Sequence, residues 1–426
     1  MVLDNNLYNI LKMARIKMDL RARWRVADII LLLMVAVTWI TKVSELFNSS
    51  FICVIWFILA CLLILVLNDG VYVKMKFNLL VKFYFIYSVI FLLGAFFSYR
   101  VGSVLLGCVY LLIFPLITVI VSDDSKTKIF LKSFFNAVIV NYVIVFFLSI
   151  IFVNAGNFSQ YGGIVNNANA FSLLALVCMI AAIYRYGEGQ REYRWLVIIG
   201  ICIGSIFITQ SRTVIICCIF DMIIWGVYAV KKKSLGIDVK KICFTIFAAI
   251  LSALAIMYFN QVMMYIIGVI TETGNESISG AFNFRMTNGF DGNGTITTGR
   301  ASIWQAYLND LTLLPHTDQA MPMIDGEVIH YSAHNTYLHL GYCFGFLCGV
   351  SYLIYNIFNG IKSLKSACKN PDSFIYLIGF IIILNYGIAT LVETLYSPIT
   401  NSLCLAYFVV SVTLMFKVGE EDSVKL

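Results

Sequence analysis

Long apolar runs recur along this chain from residue 27 to residue 416, separated mostly by short polar connections. Apolar runs of about 18 or more residues read as membrane spans. The pattern predicts an all-α, polytopic membrane protein with about twelve spans. They fall at roughly 27–43, 51–68, 79–98, 101–121, 135–155, 169–184, 195–210, 213–230, 242–259, 336–357, 373–392 and 402–416. Short connections suit antiparallel neighbours. One connection is long, from about residue 260 to 335. It opens on the apolar QVMMYIIGVI and continues through the Gly/Asn/Thr-rich FRMTNGFDGNGTITTG, which has clear turn chemistry. It then enters ASIWQAYLNDLTLL, where Ile303, Ala306, Tyr307 and Leu311 recur at helical spacing. The expectation is one integral membrane domain over 1–426, with 260–335 as a large extracytoplasmic loop containing short helices.

Composition agrees: 60% of the residues are hydrophobic and 12% charged, against about 25% charged in ordinary soluble proteins. Charge placement then orients the chain. With twelve spans, 25 of the 30 Lys and Arg fall on one side, and only Lys42, Arg100, Arg212, Arg285 and Arg300 on the other. Positive-inside bias makes the first side cytoplasmic, with both termini there. The net charge of +7 is therefore a matter of loop placement and points to no nucleic-acid partner. Residues 7–25 carry six of these cations on a Leu/Ile/Met background and read as an amphipathic membrane-surface segment, not a cleavable signal. All but one of the twelve cysteines lie within or at the ends of apolar runs, Cys368 being in a basic loop. Neither a disulfide framework nor a Cys-based zinc site is expected.

No lysine occurs between Lys241 and Lys362, yet that interval keeps Arg285, Arg300 and all four histidines, His316, His330, His334 and His339. Arg212, in FITQSRTVIICC, sits in a break between two purely apolar spans. An arginine there either snorkels to lipid phosphate or grips a phosphate or diphosphate bidentately. Arg300 follows a Gly-rich turn at the start of a helical pattern, where the macrodipole gives a cation no advantage. It is either a surface residue or a ligand for an anion. His334 opens HNTYLHLGYCFG at re-entry to the membrane. Imidazole ordinarily titrates near neutrality, so His334 either takes a proton from a hydroxyl or is an interfacial residue with a satisfied hydrogen bond. His330 and His334 are four apart, a metal-binding spacing on a helix, but Ser332 and the extended lead-in argue against a helix there. Asn166, Asn167 and Asn169 either cap the sixth span or bind sugar and phosphate oxygens. Tyr161 and Trp304 can stack on sugar rings or sit as interface aromatics. Asp221, in mid-span, calls for a partner, either a helix-to-helix hydrogen bond or a proton path.

QSRT (210–213), GRASIW (299–304) and HNTYLHLGYCFG (334–345) occur in this order at the face expected to be outer. In this the chain resembles, over roughly residues 160–360, the O-antigen ligase and polymerase superfamily. These are bacterial glycosyltransferases acting on undecaprenyl-diphosphate-linked glycans. Family ligases carry His-Asn, nine residues, Gly, two residues, then Gly, Thr or Tyr. His334-Asn335 and Gly345 fit; the last position is Cys348, with Gly349 one step later. The segment 166–169 is similar to the family's Asn-Pro-Asn segment, with Ala168 in place of proline. The resemblance implies a membrane-glycosyltransferase fold and a metal-independent, inverting transfer with no cofactor. Arg212 and Arg300 would hold the donor diphosphate and His334 would orient or deprotonate the acceptor, with Asn169, Asn335, Trp304 and Tyr161 as substrate contacts.

The broken motif directs the reading to a Wzy-type polymerase of O-antigen, capsular or exopolysaccharide repeat units in the bacterial cytoplasmic membrane. Its substrate would be an undecaprenyl-diphosphate-linked oligosaccharide, and its pathway partners a chain-length regulator and a flippase. A ligase acting on lipid A core is the alternative within the family. A flippase or other transporter is the alternative outside it, and would place charges along a central path, where Asp221 is the one strongly intramembrane charge.

Overall fold

The computed structural model describes residues 20–43, 49–68, 78–121, 123–153, 161–188, 192–231, 241, 244–251, 300–317, 322–324, 327–328, 332–371 and 373–416. Most of the basic arm, most of the ninth expected span and the greater part of the long loop, with Arg285 and His330, lie outside the described residues.

Among the described residues the structure is overwhelmingly helical. The first eight helices are α1 (Leu20–Val43), α2 (Ser49–Leu67), α3 (Leu79–Phe97), α4 (Val101–Ile120), α5 (Asp124–Phe152), α6 (Ala168–Gly187), α7 (Tyr193–Thr209) and α8 (Arg212–Lys231). Residues 244–251 are also helical. After the long loop come α9 (Arg300–Asn309), α10 (Thr336–Phe344), α11 (Phe346–Lys369), α12 (Phe374–Thr390) and α13 (Ser402–Met415). Met323–Ile324 and Glu327–Val328 form a minimal antiparallel pair. Six helices, α1, α3, α4, α5, α6 and α8, are long and apolar enough to cross a membrane, and α2, α7, α12 and α13 are shorter apolar helices. Asparagine starts several of them. The side chains of Asn78, Asn167, Asn335 and Asn401 each accept a hydrogen bond from the first turn of the helix that follows.

The chain forms two compact units, residues 1–41, 45–137 and 302–426 in one, and 42–44 with 138–301 in the other. In the first unit α11 is inside out. Tyr352, Asn356, Asn359, Ser363 and Ser366 are buried, whereas Leu347, Ile357, Ile361 and Leu364 are about half exposed. Water would reject that arrangement and hydrocarbon favours it, so the packing and the hydropathy agree on a membrane protein. Several of the buried polar groups are paired across helices. Asn356 Nδ2 donates to the Tyr337 hydroxyl at 3.2 Å, and Asn356 Oδ1 accepts from Tyr407. Asn359 Nδ2 donates to Ser411 Oγ at 2.7 Å. The Tyr352 and Tyr386 hydroxyls also meet. Bonds of this kind between membrane helices contribute about 0.6 kcal/mol each. Pro115 offers no N–H to its own helix, and α4 widens to a π turn over Val109–Ile113 just before it.

In the second unit α6 is apolar on every face and buried on nearly every face, from Phe171 to Tyr184, as expected of a central helix. Tyr142 of α5 donates to Ser205 Oγ of α7 at 2.7 Å.

One expected element differs. The span read at 336–357 is two helices, α10 and α11, broken at Gly345. Its φ is +90°, and an added Cβ would stand 2.7 Å from the carbonyl oxygen of Leu313. Residues 312–316 pack against the break, with Phe346 N donating to Thr312 O at 3.1 Å. Gly349 lets α11 close on α10, since a Cβ there would lie 2.4 Å from the carbonyl oxygen of Tyr337. The one-step departure from the ligase pattern is thus the position where packing requires glycine.

Candidate active site

The candidate residues divide between the two units. In the first unit they gather where α9, the start of α10, the α3–α4 turn and the loop 391–400 meet. Helix α9 carries the expected apolar face, with Ala306 and Tyr307 buried. It ends at Asn309, so Leu311 lies beyond it. Trp304 is committed to the fold: its indole N–H donates to the carbonyl of Ala333 at 2.8 Å, fastening α9 to the residue before His334. Burial pushes the Tyr307 hydroxyl up to about 12, despite the opposing charge of Arg100, and leaves it a neutral donor at physiological pH.

Asn335 accepts from Tyr337 N and Leu338 N and donates to the carbonyl of Leu391 at 3.0 Å. Thr336 Oγ donates to the carbonyl of Glu393 and accepts from Leu395 N, both at 2.8 Å. Together they stitch the loop 391–395 to the start of α10. Asn335, expected as a substrate contact, has both ends of its amide engaged in this structure. Its replacement by alanine is expected to cost about 1–2 kcal/mol of stability, read as a lower melting temperature of the purified protein.

That stitching sets Glu393 beside His334. Glu393 Oε2 lies 3.5 Å from His334 Nδ1, and the two side chains are 14% and 33% exposed. His334 is held at φ +47°, a left-handed conformation uncommon for a side chain with a Cβ. A carboxylate facing Nδ1 favours the tautomer with its proton there, leaving the lone pair on Nε2. The contact is not a hydrogen bond: Nδ1 is buried without a hydrogen-bond partner among the described residues, and the carboxylate acts on the ring through its charge alone.

His316, which drew no role from the sequence, is firmly built in. Its Nδ1 lies 2.9 Å from the carbonyl oxygen of Tyr342, and its ring stacks on Tyr342 at 4.0 Å. Nε2 is 3.9 Å from Asp310 Oδ1, while the Tyr342 hydroxyl donates to Asp310 Oδ2 at 3.2 Å. Bonding a carbonyl requires the proton on Nδ1. His339 is half-buried one turn below Asn335, 5.5 Å from the Tyr396 ring and 3.7 Å from Cys343 Sγ. Arg100 lies over Phe344 at 5.9 Å and reaches the carbonyl of Thr317 at 3.4 Å. Arg100 and Glu393 are members that sequence reading missed as chemistry. Arg100 stood among the five cations that the expected topology sets apart from the other 25, and that was the available signal; Glu393 had none.

In the second unit, Gln210 ends α7 in a left-handed conformation, φ +54°, and turns the chain into Ser211 and Arg212. Ser211 Oγ donates to Asn169 Oδ1 at 2.9 Å, so the QSRT turn and the Asn-rich entry of α6 are joined. Asn167 caps α6 through Ala170 N at 2.9 Å. Arg212 is exposed at the first position of α8, beside unsatisfied helix N–H groups that share its preference for anions. Tyr161 is 4% exposed with its ring edge-on to Phe171 at 5.8 Å, which makes it a packing residue here. Arg300 is the half-buried first residue of α9. Asp221 is fully buried within α8.

No family model matches the chain, and no curated protein matches it.

Proposed function

We propose that this protein is a membrane glycosyltransferase that polymerises lipid-linked polysaccharide repeat units. The observation that carries the proposal is the His334–Glu393 pair at 3.5 Å, in the segment whose HNTYLHLGYCFG sequence resembles the O-antigen ligase and polymerase superfamily. In the proposed reaction, His334 Nε2 accepts the proton of a sugar hydroxyl on the incoming lipid-linked unit. The freed oxygen attacks the anomeric carbon of the growing chain, whose bond to the diphosphate breaks with inversion. The electron pair leaves on undecaprenyl diphosphate, and Arg212 and Arg300 neutralise it. Twelve spans, cytoplasmic termini and an outer-face site in a bacterial inner membrane belong to the same reading, from the lysine and arginine distribution.

Gel analysis of surface polysaccharide from a deletion strain tests it. A polymerase loss leaves a single repeat unit on the surface acceptor, and the wild-type gene restores the ladder. Full-length chains accumulating on the carrier lipid would instead mark a ligase. Repeat units trapped at the cytoplasmic face would mark a transporter. Among complementing variants, Arg212→Ala is expected to abolish the ladder, and Arg212→Lys to restore only part of it, because an ammonium does not reproduce the bidentate grip.

A further inference from the structure

The second unit holds an apolar groove of about 500 Å³ between α7, α8 and the helical residues 244–251. Its walls include Ile203, Phe207, Trp225, Ile246 and Ile250, and Lys241 is the one charged lining group among the described residues. The Thr245 hydroxyl is spent on the carbonyl of Lys241, at 2.9 Å. Along α7 the groove runs from Leu196 to Phe207, roughly 16 Å at the usual helical rise. An elongated apolar groove suits a hydrocarbon chain, and its volume lies within the range of ligand sites.

Among the described lining residues the charge is confined to Lys241. Lys241 lies toward the end where α8 finishes in Lys231: three residues on, the Phe244 ring stands edge-on to Tyr193, at the start of α7, at 5.5 Å. Arg212 opens α8 at the opposite end. A lipid whose diphosphate sat at Arg212 would leave Lys241 facing its tail, whereas a lipid entering from the lysine end would match both groove and charge. We infer that this groove binds one acyl chain of an anionic phospholipid, with its phosphate headgroup at Lys241. The inference does not depend on the glycosyltransferase reading.

Native mass spectrometry and thermal melting of the full-length purified protein test it, with phosphatidylglycerol, phosphatidylcholine and undecaprenyl phosphate as the added lipids. The expected result is one phosphatidylglycerol retained per chain, with a larger rise in Tm for phosphatidylglycerol than for phosphatidylcholine. Lys241→Gln should erase that preference while lipid still binds. Ile203→Phe, which fills the groove, should remove the retained lipid. Equal retention of the two phospholipids by the wild type would overturn the assignment. So would an undiminished phosphatidylglycerol preference in Lys241→Gln, or stronger retention of undecaprenyl phosphate. The lysine variant decides the matter even where the filled groove does not fold.

Discussion

His334→Ala is expected to lower the rate of glycan polymerisation by about 10²–10⁴-fold, the contribution of a positioned general base. The variant should remain folded, because His334 is one-third exposed and faces one carboxylate. Alanine at φ +47° adds no new strain of consequence, since histidine already pays the cost of a Cβ there. Glu393→Gln should give a smaller loss in the same direction. Glutamine can still meet Nδ1, but it stabilises the imidazolium formed in the transition state less well. The split between constants separates this role from a structural one: kcat should fall in both variants while KM for the lipid-linked donor holds. A rise in KM with kcat unchanged would place His334 in substrate binding instead. Rates of chain elongation by purified protein supply the measurement.

Gly345→Leu is expected to have the largest effect on stability. A non-glycine residue in this backbone region costs on the order of 1–3 kcal/mol before any contact is counted. The side chain would also begin 2.7 Å from the Leu313 carbonyl, forcing residues 312–316 away from the helix break. Those residues carry His316 onto Tyr342 and bring Thr317 to Arg100, so the damage should spread through the α9–α10 end of the unit. Loss of folded protein in size-exclusion profiles, with a lowered Tm in whatever remains, is the outcome to look for. Gly349→Leu should behave similarly for a different reason, the contact of α11 with the Tyr337 carbonyl. A Gly345→Leu protein with unchanged melting would mean that the break does not depend on glycine.

Much of the fold was legible in the sequence because burial in hydrocarbon makes helices from uninterrupted apolar runs. The runs at 79–98, 101–121, 169–184, 195–210 and 373–392 coincide with α3, α4, α6, α7 and α12 to within a few residues. The break at Gly345 was not legible, since HNTYLHLGYCFGFLCG reads as one continuous apolar stretch and the signal for interruption is a tertiary contact with 312–316. The inverted face of α11 was also hidden. A span with Asn356, Asn359, Ser363 and Ser366 on one stripe looks merely less hydrophobic until their partners are seen.

The site shows the same division. Arg300 and His334 stood out because the interval without lysine keeps two arginines and all four histidines, and Arg212 because it breaks an otherwise apolar stretch. Local pairings such as Asn335 with its own helix could be anticipated from capping chemistry. Glu393 could not be found, because its place beside His334 is set by Thr336 and Asn335 bonding to a loop more than fifty residues away. Trp304 and Tyr161 are aromatic residues of the sort that line sugar sites, yet Trp304 spends its N–H on Ala333 and Tyr161 packs on Phe171. Nothing in an aromatic residue's neighbours along the chain distinguishes those uses.

The most direct test of the glycosyl-transfer account is reconstitution of the purified protein with an undecaprenyl-diphosphate-linked repeat unit, following product glycan and released lipid together. The account predicts one undecaprenyl diphosphate released for each glycosidic bond formed, with glycans lengthening by whole repeat units and His334→Ala suppressing both. Intact lipid-linked repeat units that cross the bilayer without any release of undecaprenyl diphosphate would contradict it.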